Sequence, residues 1–427
     1  MRVIRNGRLP DGRVRDVGIE GEEIVAVETD VDGETLVDAT GKALFPGMID
    51  VHVHFREPGF PEKETWATGS RAAAAGGVTT VVDQPNTDPP TVDGAAFDGK
   101  AKRAAASLID WGINGGVSPD WKPAELFERP LFALGEVFLA DSTGDMGIDV
   151  ERFEEALDLA AQANVVTTVH AEDAGYFDES VTDRTDPAAW SDYRPPEAEI
   201  AAVERAVGAA AERDARLHVA HASTPEAIDQ ATENGATVEV TPHHLFLSTE
   251  DYDDLGTFGR MNPPLRDEAR RQAVAERVAD GTVDVIATDH APHTRAQKET
   301  DVWSAPSGVP GVETALPLLL ASVAEGRLSA TRVRDLTARN PARIFDLPHK
   351  GRIEPGAHAD LVVVDLEEPR TIRGADLHGK TDWTPFEGMD GIFPEYTLVR
   401  GDVVWESEDP GAAVGRFGAR VGQNVRV

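Results

Sequence analysis

Eight short runs of β character recur through the middle of this 427-residue chain, each separated from the next by an Ala-rich or amphipathic stretch. The runs are Gly47–Val53, Val78–Asp83, Trp111–Val117, Leu131–Leu139, Val165–Val169, Arg216–Ala220, Ala236–Thr241 and Val283–Thr288. Helical patterning fills the gaps, for example at Lys63–Ala75, Val150–Gln162, Glu197–Arg213, Pro225–Glu233 and Arg266–Ala279. A strand that returns through a helix pairs in parallel with its predecessor, and eight such units close on themselves. The expected fold class is therefore α/β, with a (β/α)8 TIM barrel over residues 46–351.

The two ends of the chain read differently. VRDVGIEGEEIVAVE alternates apolar and polar positions around Gly18 and Gly21, and ADLVVVDLE at 359–367 and YTLVRGDVVWE at 396–406 repeat that style. Residues 1–45 and 352–427 are expected to form one small β-sandwich domain, assembled from both termini.

Charge narrows the range of partners. The net charge is −35, and the 41 basic residues include only 8 lysines against 33 arginines. Such a surface repels nucleic acid. Acidic excess spread along the whole chain, with lysine scarce, points to a halophilic source in which salt screens self-repulsion. There is no signal-like apolar segment near the first residues and no uncharged run of roughly 20 apolar residues, so a cytoplasmic protein with no membrane partner is expected. The absence of cysteine leaves His and carboxylates as the only strong metal ligands.

The histidines carry the chemistry. His52 and His54 are spaced by two at the end of the first β run, a period that turns both imidazoles to one face. His170 ends the fifth run, His221 follows the sixth and Asp289 follows the eighth. In a (β/α)8 barrel these positions converge on the carboxyl-terminal mouth, where active sites are built. Five ligands exceed the needs of one tetrahedral zinc with an open position, but they suit two metals about 3.5–4 Å apart that share an anionic bridge. In the fourth run, LFALGEVFL, the only ionisable side chain is Glu136.

PGMIDVHVHFREPG at 46–59, SRAAAAGGVTTVVDQPNT at 70–87, MNPPLR at 261–266, ATDHAPH at 287–293 and GRIEPGAHADLVVVD at 351–365 resemble dihydroorotases of the amidohydrolase superfamily. The metal motif alone is shared with hydantoinases and allantoinases, whereas the REPG and QPNT neighbourhoods are more selective. The resemblance implies two zinc ions. His52, His54 and Asp289 would serve one and His170 and His221 the other, with a hydroxide and Glu136 bridging. Many relatives bridge with a carboxylated lysine, but no lysine lies between Lys122 and Lys298 here. An aspartate a few residues later serves some relatives, which makes Asp141 the rival bridge. The pattern His221-Ala-Ser-Thr selects His221 over His218, leaving His218 to pack behind the site, and His243 and His244 are expected to line the mouth or orient ligands.

The resemblance further implies that His54, Arg56, Asn86, Asn262, His293 and the Ser307-Gly308 pair bind substrate, and that Asp289 is catalytic, shuttling the proton. The implied reaction is the reversible cyclisation of N-carbamoyl-L-aspartate to L-dihydroorotate and water, in pyrimidine biosynthesis. Another cyclic amidase, such as an allantoinase or dihydropyrimidinase, and a non-catalytic scaffold barrel are the competing readings. Self-association into a homo-oligomer and contact with an aspartate carbamoyltransferase are left open.

Overall fold

The computed structural model describes residues 1–139, 146–409 and 411–427. Its central element is a ring of eight parallel strands: β1 (Met48–Val53), β2 (Val78–Asp83), β3 (Asp110–Ile113), β4 (Leu134–Leu139), β5 (Thr167–Ala171), β6 (Leu217–Val219), β7 (Thr237–Val240) and β8 (Val285–Ile286). Strands β1 to β3 form one parallel sheet, and β4 to β8 follow one another in a second. Two parallel bridges join the sheets into a barrel, Gly115 to Leu134 and Val53 to His290. The backbone N–H of His54 donates to the carbonyl of His290 at 2.8 Å, sealing the second seam.

The helices begin and end where local chemistry directs. Thr65, Asp93, Asp149, Thr224 and Asp267 each cap a helix by accepting from a backbone N–H in its first turn. Asn164, at φ 51°, stops the helix Val150–Ala163 in the left-handed conformation that asparagine tolerates. One apolar cluster holds both the outward strand residues, such as Val81, Val137, Val169 and Val238, and the alanines Ala73, Ala156, Ala202 and Ala206 of the surrounding helices. Alanine faces leave no bulk to hold the helices off the strands. A separate cluster of Ile49, Val51, Val82, Phe132, Val285 and Phe345 fills the lower part of the barrel, with Phe132 and Phe345 stacked at 4.9 Å.

Both ends of the chain contribute to one nine-stranded sheet. Ala43–Pro46 pairs with Leu361–Val364 in antiparallel fashion, which splices the amino-terminal strands to the carboxyl-terminal ones. Ile4, Val17, Ile19, Ile24, Leu44, Leu361, Val363 and Leu398 make its core. The α/β class, the barrel and a small β domain drawn from both termini thus match the expectation from sequence. The segment around Ile372, Trp383 and Phe386 departs from that sheet and packs with Tyr252, Met261 and Val309 beside the barrel mouth. Among the described residues, no helix is long and apolar enough to cross a membrane.

Candidate metal centre and active site

His52 lies in β1 and His54 just beyond it, Glu136 in β4, His170 in β5, and His221 and Asp289 in the turns that leave β6 and β8. All six are buried. Their ligand atoms form two groups, His52–His54–Glu136 and Glu136–His170–His221, each with all its atoms within 4.8 Å of one another. Glu136 belongs to both, one carboxylate oxygen facing each way. Oε1 is 3.1 Å from His170 Nδ1 and 2.6 Å from His221 Nε2, whereas Oε2 is 3.5 Å from His52 Nε2 and 4.0 Å from His54 Nε2. Asp289 Oδ1 stands 2.9 Å from His54 Nε2 and 3.5 Å from His52 Nε2.

The two 3.5 Å separations at His52 Nε2 suit a metal. Tetrahedral donors held about 2.0–2.2 Å from zinc stand about 3.3–3.6 Å from one another. His52 Nε2 is buried, makes no hydrogen bond, and points between two carboxylate oxygens at that separation. An imidazole nitrogen aimed at two anions without bonding either is what a cation between them would require.

The backbone here is unusual. Arg56, His221 and Asp289 have φ of 64°, 34° and 46°, in the left-handed region that side chains other than glycine seldom occupy. Such strain persists only where the surroundings over-determine it, as at a built site. Gly135 lets Glu136 enter: a Cβ there would fall 2.2 Å from Thr168 Oγ1.

A second ring of carboxylates orients the imidazoles. Glu239, on β7, places Oε1 2.6 Å from His52 Nδ1, and its Oε2 meets His218 Nε2 at 3.1 Å. Glu172 places Oε2 3.1 Å from His170 Nε2 and is itself held by Arg194 at 2.5 Å. Partners of this kind fix the tautomer and aim of a ligating histidine. Burial works against the charge on Glu239, yet His52 and His218 hold its pKa down at about 2. Burial likewise opposes ionisation of Glu136, and His52, His170 and His221 keep it well below the ordinary carboxylate value. Burial disfavours a charged His170, but Glu136 and Glu172 raise it to about 10. The pocket is a concentration of negative potential suited to cations.

Sequence reasoning did not single out Glu172, Glu239 or Arg194. A charged residue inside an apolar barrel strand, as in Ala-Thr-Val-Glu239-Val, was the available signal. His218 sits behind the centre, its other nitrogen on Thr237 Oγ1 at 2.8 Å. His244 differs from expectation: it bonds Thr241 Oγ1 at 2.9 Å and the carbonyl of Pro263 at 3.0 Å, which ties down the loop carrying Asn262 rather than orienting a ligand. His243 is buried and kept neutral, with burial lowering its pKa to about 3. Asp141 lies outside the described residues.

Above the two triads a cleft is lined by His54, Arg56, Asn86, Glu136, Phe138, His170, His221, Asn262, Asp289, Ala291, Ser307 and Gly308. All the residues picked for substrate except His293 line this cleft. His293 sits just behind, with Nε2 3.1 Å from Arg56 Nη2 and 3.0 Å from the Ser307 carbonyl. Asn86 Oδ1 meets His54 Nδ1 at 2.7 Å, linking it to the His52–His54–Glu136 triad. Burial lowers the pKa of Arg56 only to about 10, so it stays a cation at neutral pH.

Residues 43–404 match the model of the amidohydrolase family. The chain is an amidohydrolase. This amidohydrolase is 63% identical to a dihydroorotase of Halobacterium salinarum over 418 residues, covering 97% of this chain and 99% of the relative. It is 44% identical to a dihydroorotase of Methanosarcina acetivorans, covering 97% and 93%. Among solved structures it superimposes on an L-hydantoinase (dihydropyrimidinase) from Arthrobacter aurescens with a TM-score of 0.92 at 28% identity, covering 99% of each chain. A dihydropyrimidinase from Brevibacillus agri gives 0.89 at 29%, covering 100% and 98%. Membership of this family implies a binuclear metal site, and the two triads that share Glu136 could hold it.

Proposed function

We propose that this amidohydrolase is a dihydroorotase, interconverting N-carbamoyl-L-aspartate and L-dihydroorotate in pyrimidine synthesis in the cytoplasm. The barrel over 46–351 would carry the chemistry, and 1–45 with 352–427 would form its β domain. His52, His54 and Asp289 would hold one zinc ion, His170 and His221 the other, and Glu136 would bridge them. Such a pair supplies a Lewis acid and a hydroxide at neutral pH.

Asp289 is the proton carrier. In hydrolysis it takes the proton of the attacking water and delivers it to the departing ring nitrogen; in cyclisation it takes the proton from the carbamoyl nitrogen as water leaves. Its Oδ1 lies 2.9 Å from His54 Nε2, and both residues line the cleft. Arg56, Asn86, Asn262 and His293 would receive the carboxylate of the ring, and the backbone of Ser307-Gly308 its amide edge. Every one of these groups comes from a single chain.

Arg56 carries this reading. It is a buried cation in the cleft, its nearest polar neighbours are His293 and the Pro292 carbonyl, and no ion pair neutralises it among the described residues. A ring bearing a carboxylate pairs with such a charge; a neutral hydantoin or dihydrouracil leaves it buried and unpaired. The test is turnover by the purified, zinc-loaded protein at molar salt, followed in both directions, with allantoin and dihydrouracil as controls. Selective turnover of the dihydroorotate pair is expected. Preference for either control, or no turnover of any substrate, would overturn the assignment.

A further inference from the structure

Buried cations elsewhere in the chain meet carboxylates: Lys100 meets Asp83 at 2.7 Å, Arg194 meets Glu172 at 2.5 Å, and Lys350 meets Asp110 and Asp360 at 2.7 and 2.6 Å. Lys298 does not. It is wholly buried and has no ion pair among the described residues. Its Nζ donates to the carbonyls of Arg260 at 2.9 Å, Pro306 at 2.9 Å and Gly308 at 3.1 Å. Burial, then the neighbouring Arg260 and Arg56 charges, push its pKa well below the usual lysine value, but three acceptors use all three N–H groups of an ammonium, one more than a neutral amine can give, and so favour the charged form.

These carbonyls belong to the two loops that wall the cleft. Arg260 stands two residues before Asn262, and Pro306 and Gly308 flank Ser307. The loops also touch directly, through Gly308 N to the Arg260 carbonyl at 3.0 Å and Ser307 Oγ to Asn262 Oδ1 at 3.1 Å. Gly308, at φ +125°, packs so closely that a Cβ would meet the Ala291 carbonyl at 2.6 Å. The guanidinium of Arg260, also without an ion pair among the described residues, lies over the Trp190 ring at 3.7 Å. Trp190 in turn donates from Nε1 to Asn262 Oδ1 at 3.1 Å.

We propose that Lys298 is a positioning and specificity residue: it ties the Asn262 and Ser307-Gly308 loops together and, with Arg56 and Arg260, leaves the cleft wall with positive charge that ranks a carboxylate-bearing ring above a neutral one. The proposal rests on the dihydroorotase reading. In a chain of net charge −35, three cations gathered at one mouth with no carboxylate in ion-pair contact among the described residues favour an incoming one.

The experiment uses the full-length, metal-loaded protein and compares wild type with Lys298→Met. It reads KM and kcat for L-dihydroorotate, and inhibition constants for orotate and for its neutral methyl ester. Loss of charge-assisted contacts is expected to raise KM and the orotate constant about tenfold or more. The value of kcat should stay within about threefold of wild type and the ester constant should not move, because the metal ligands and Asp289 are untouched. Arg260→Gln, nearer the surface, keeps the test alive if Lys298→Met does not fold, with a rise of about threefold expected for orotate alone. A purely structural role would lower the melting temperature and leave the orotate-to-ester ratio where it was. That unchanged ratio, in a wild type that turns over dihydroorotate, defeats this proposal; absence of turnover by wild type defeats the functional reading instead.

Discussion

The two ends of the barrel bury charges in opposite ways. At the amino-terminal end, Lys350 sits between Asp110 and Asp360, and Arg400 reaches Asp110 while its backbone N–H donates to Asp360 Oδ1 at 2.8 Å. Two cations face two carboxylates, and the cluster joins β3 to the small domain. At the carboxyl-terminal mouth nothing balances so neatly. Carboxylates crowd the histidines on one side, and Arg56, Arg260 and Lys298 have no ion pair among the described residues on the other. Paired buried charge holds the structure together, whereas imbalance on this scale is stable only if something else arrives to complete it: metal ions among the carboxylates, an anionic substrate beside the cations.

The contrast breaks most sharply at Asp289. Asp289→Asn keeps the size but not the base, and kcat should fall about 10²–10⁴-fold, with the thermal midpoint little changed. The amino-terminal end should respond the other way. Lys350→Met leaves Asp110 to Arg400 and takes from Asp360 its cation, so denaturant unfolding should report a loss of about 3–5 kcal/mol while kcat of the folded fraction stays at the wild-type value.

Smaller changes sharpen the comparison within the mouth. Glu239→Gln removes the anchor of His52, and competition with a chelator should show metal affinity about 10–100-fold weaker. Lys63 gives a pH signature. Burial and the neighbouring Arg56 charge push its pKa down to about 8. As pH rises through that value the mouth loses a positive charge, so KM for L-dihydroorotate should rise about two- to threefold between roughly pH 7 and 9, and Lys63→Met should flatten the step. The linkage has the opposite sign for folding. The unfolded lysine binds more protons between about pH 8 and its ordinary value of 10.5, so the Lys63 contribution to stability improves with pH across that window.

Much of this was legible in the sequence because it depends on periodicity. A barrel strand announces itself as an apolar run, and any polar residue at its carboxyl end is delivered to the mouth; that logic located His52, His54, His170, His221 and Asp289, and picked Glu136 from the fourth run. What depends on contacts between distant segments was not legible. Glu172 looks like an ordinary strand-end carboxylate, and the charge of Glu239 inside an apolar strand has no visible partner, until His170 and His52 are brought against them. Lys298, in Arg-Ala-Gln-Lys-Glu-Thr, reads as a surface lysine, and only the convergence of residues 260 and 306–308 buries it. Trp383 follows a Gly- and Asp-rich stretch that promises a loop, yet its Nε1 donates to the His293 carbonyl at 2.8 Å, beside the cleft.

The most direct test of the account is to remove the charge of Arg56 and read activity and stability together. Arg56→Met in the zinc-loaded protein should lower kcat/KM for L-dihydroorotate by about 100-fold or more, as expected when a charge-assisted contact to substrate is lost from a buried site. Two bound metals per chain and an unchanged unfolding midpoint should accompany that loss. Full activity in the variant, or a fall in stability that accounts for the whole effect, would contradict the claim that the unpaired cations of the mouth are kept for the substrate.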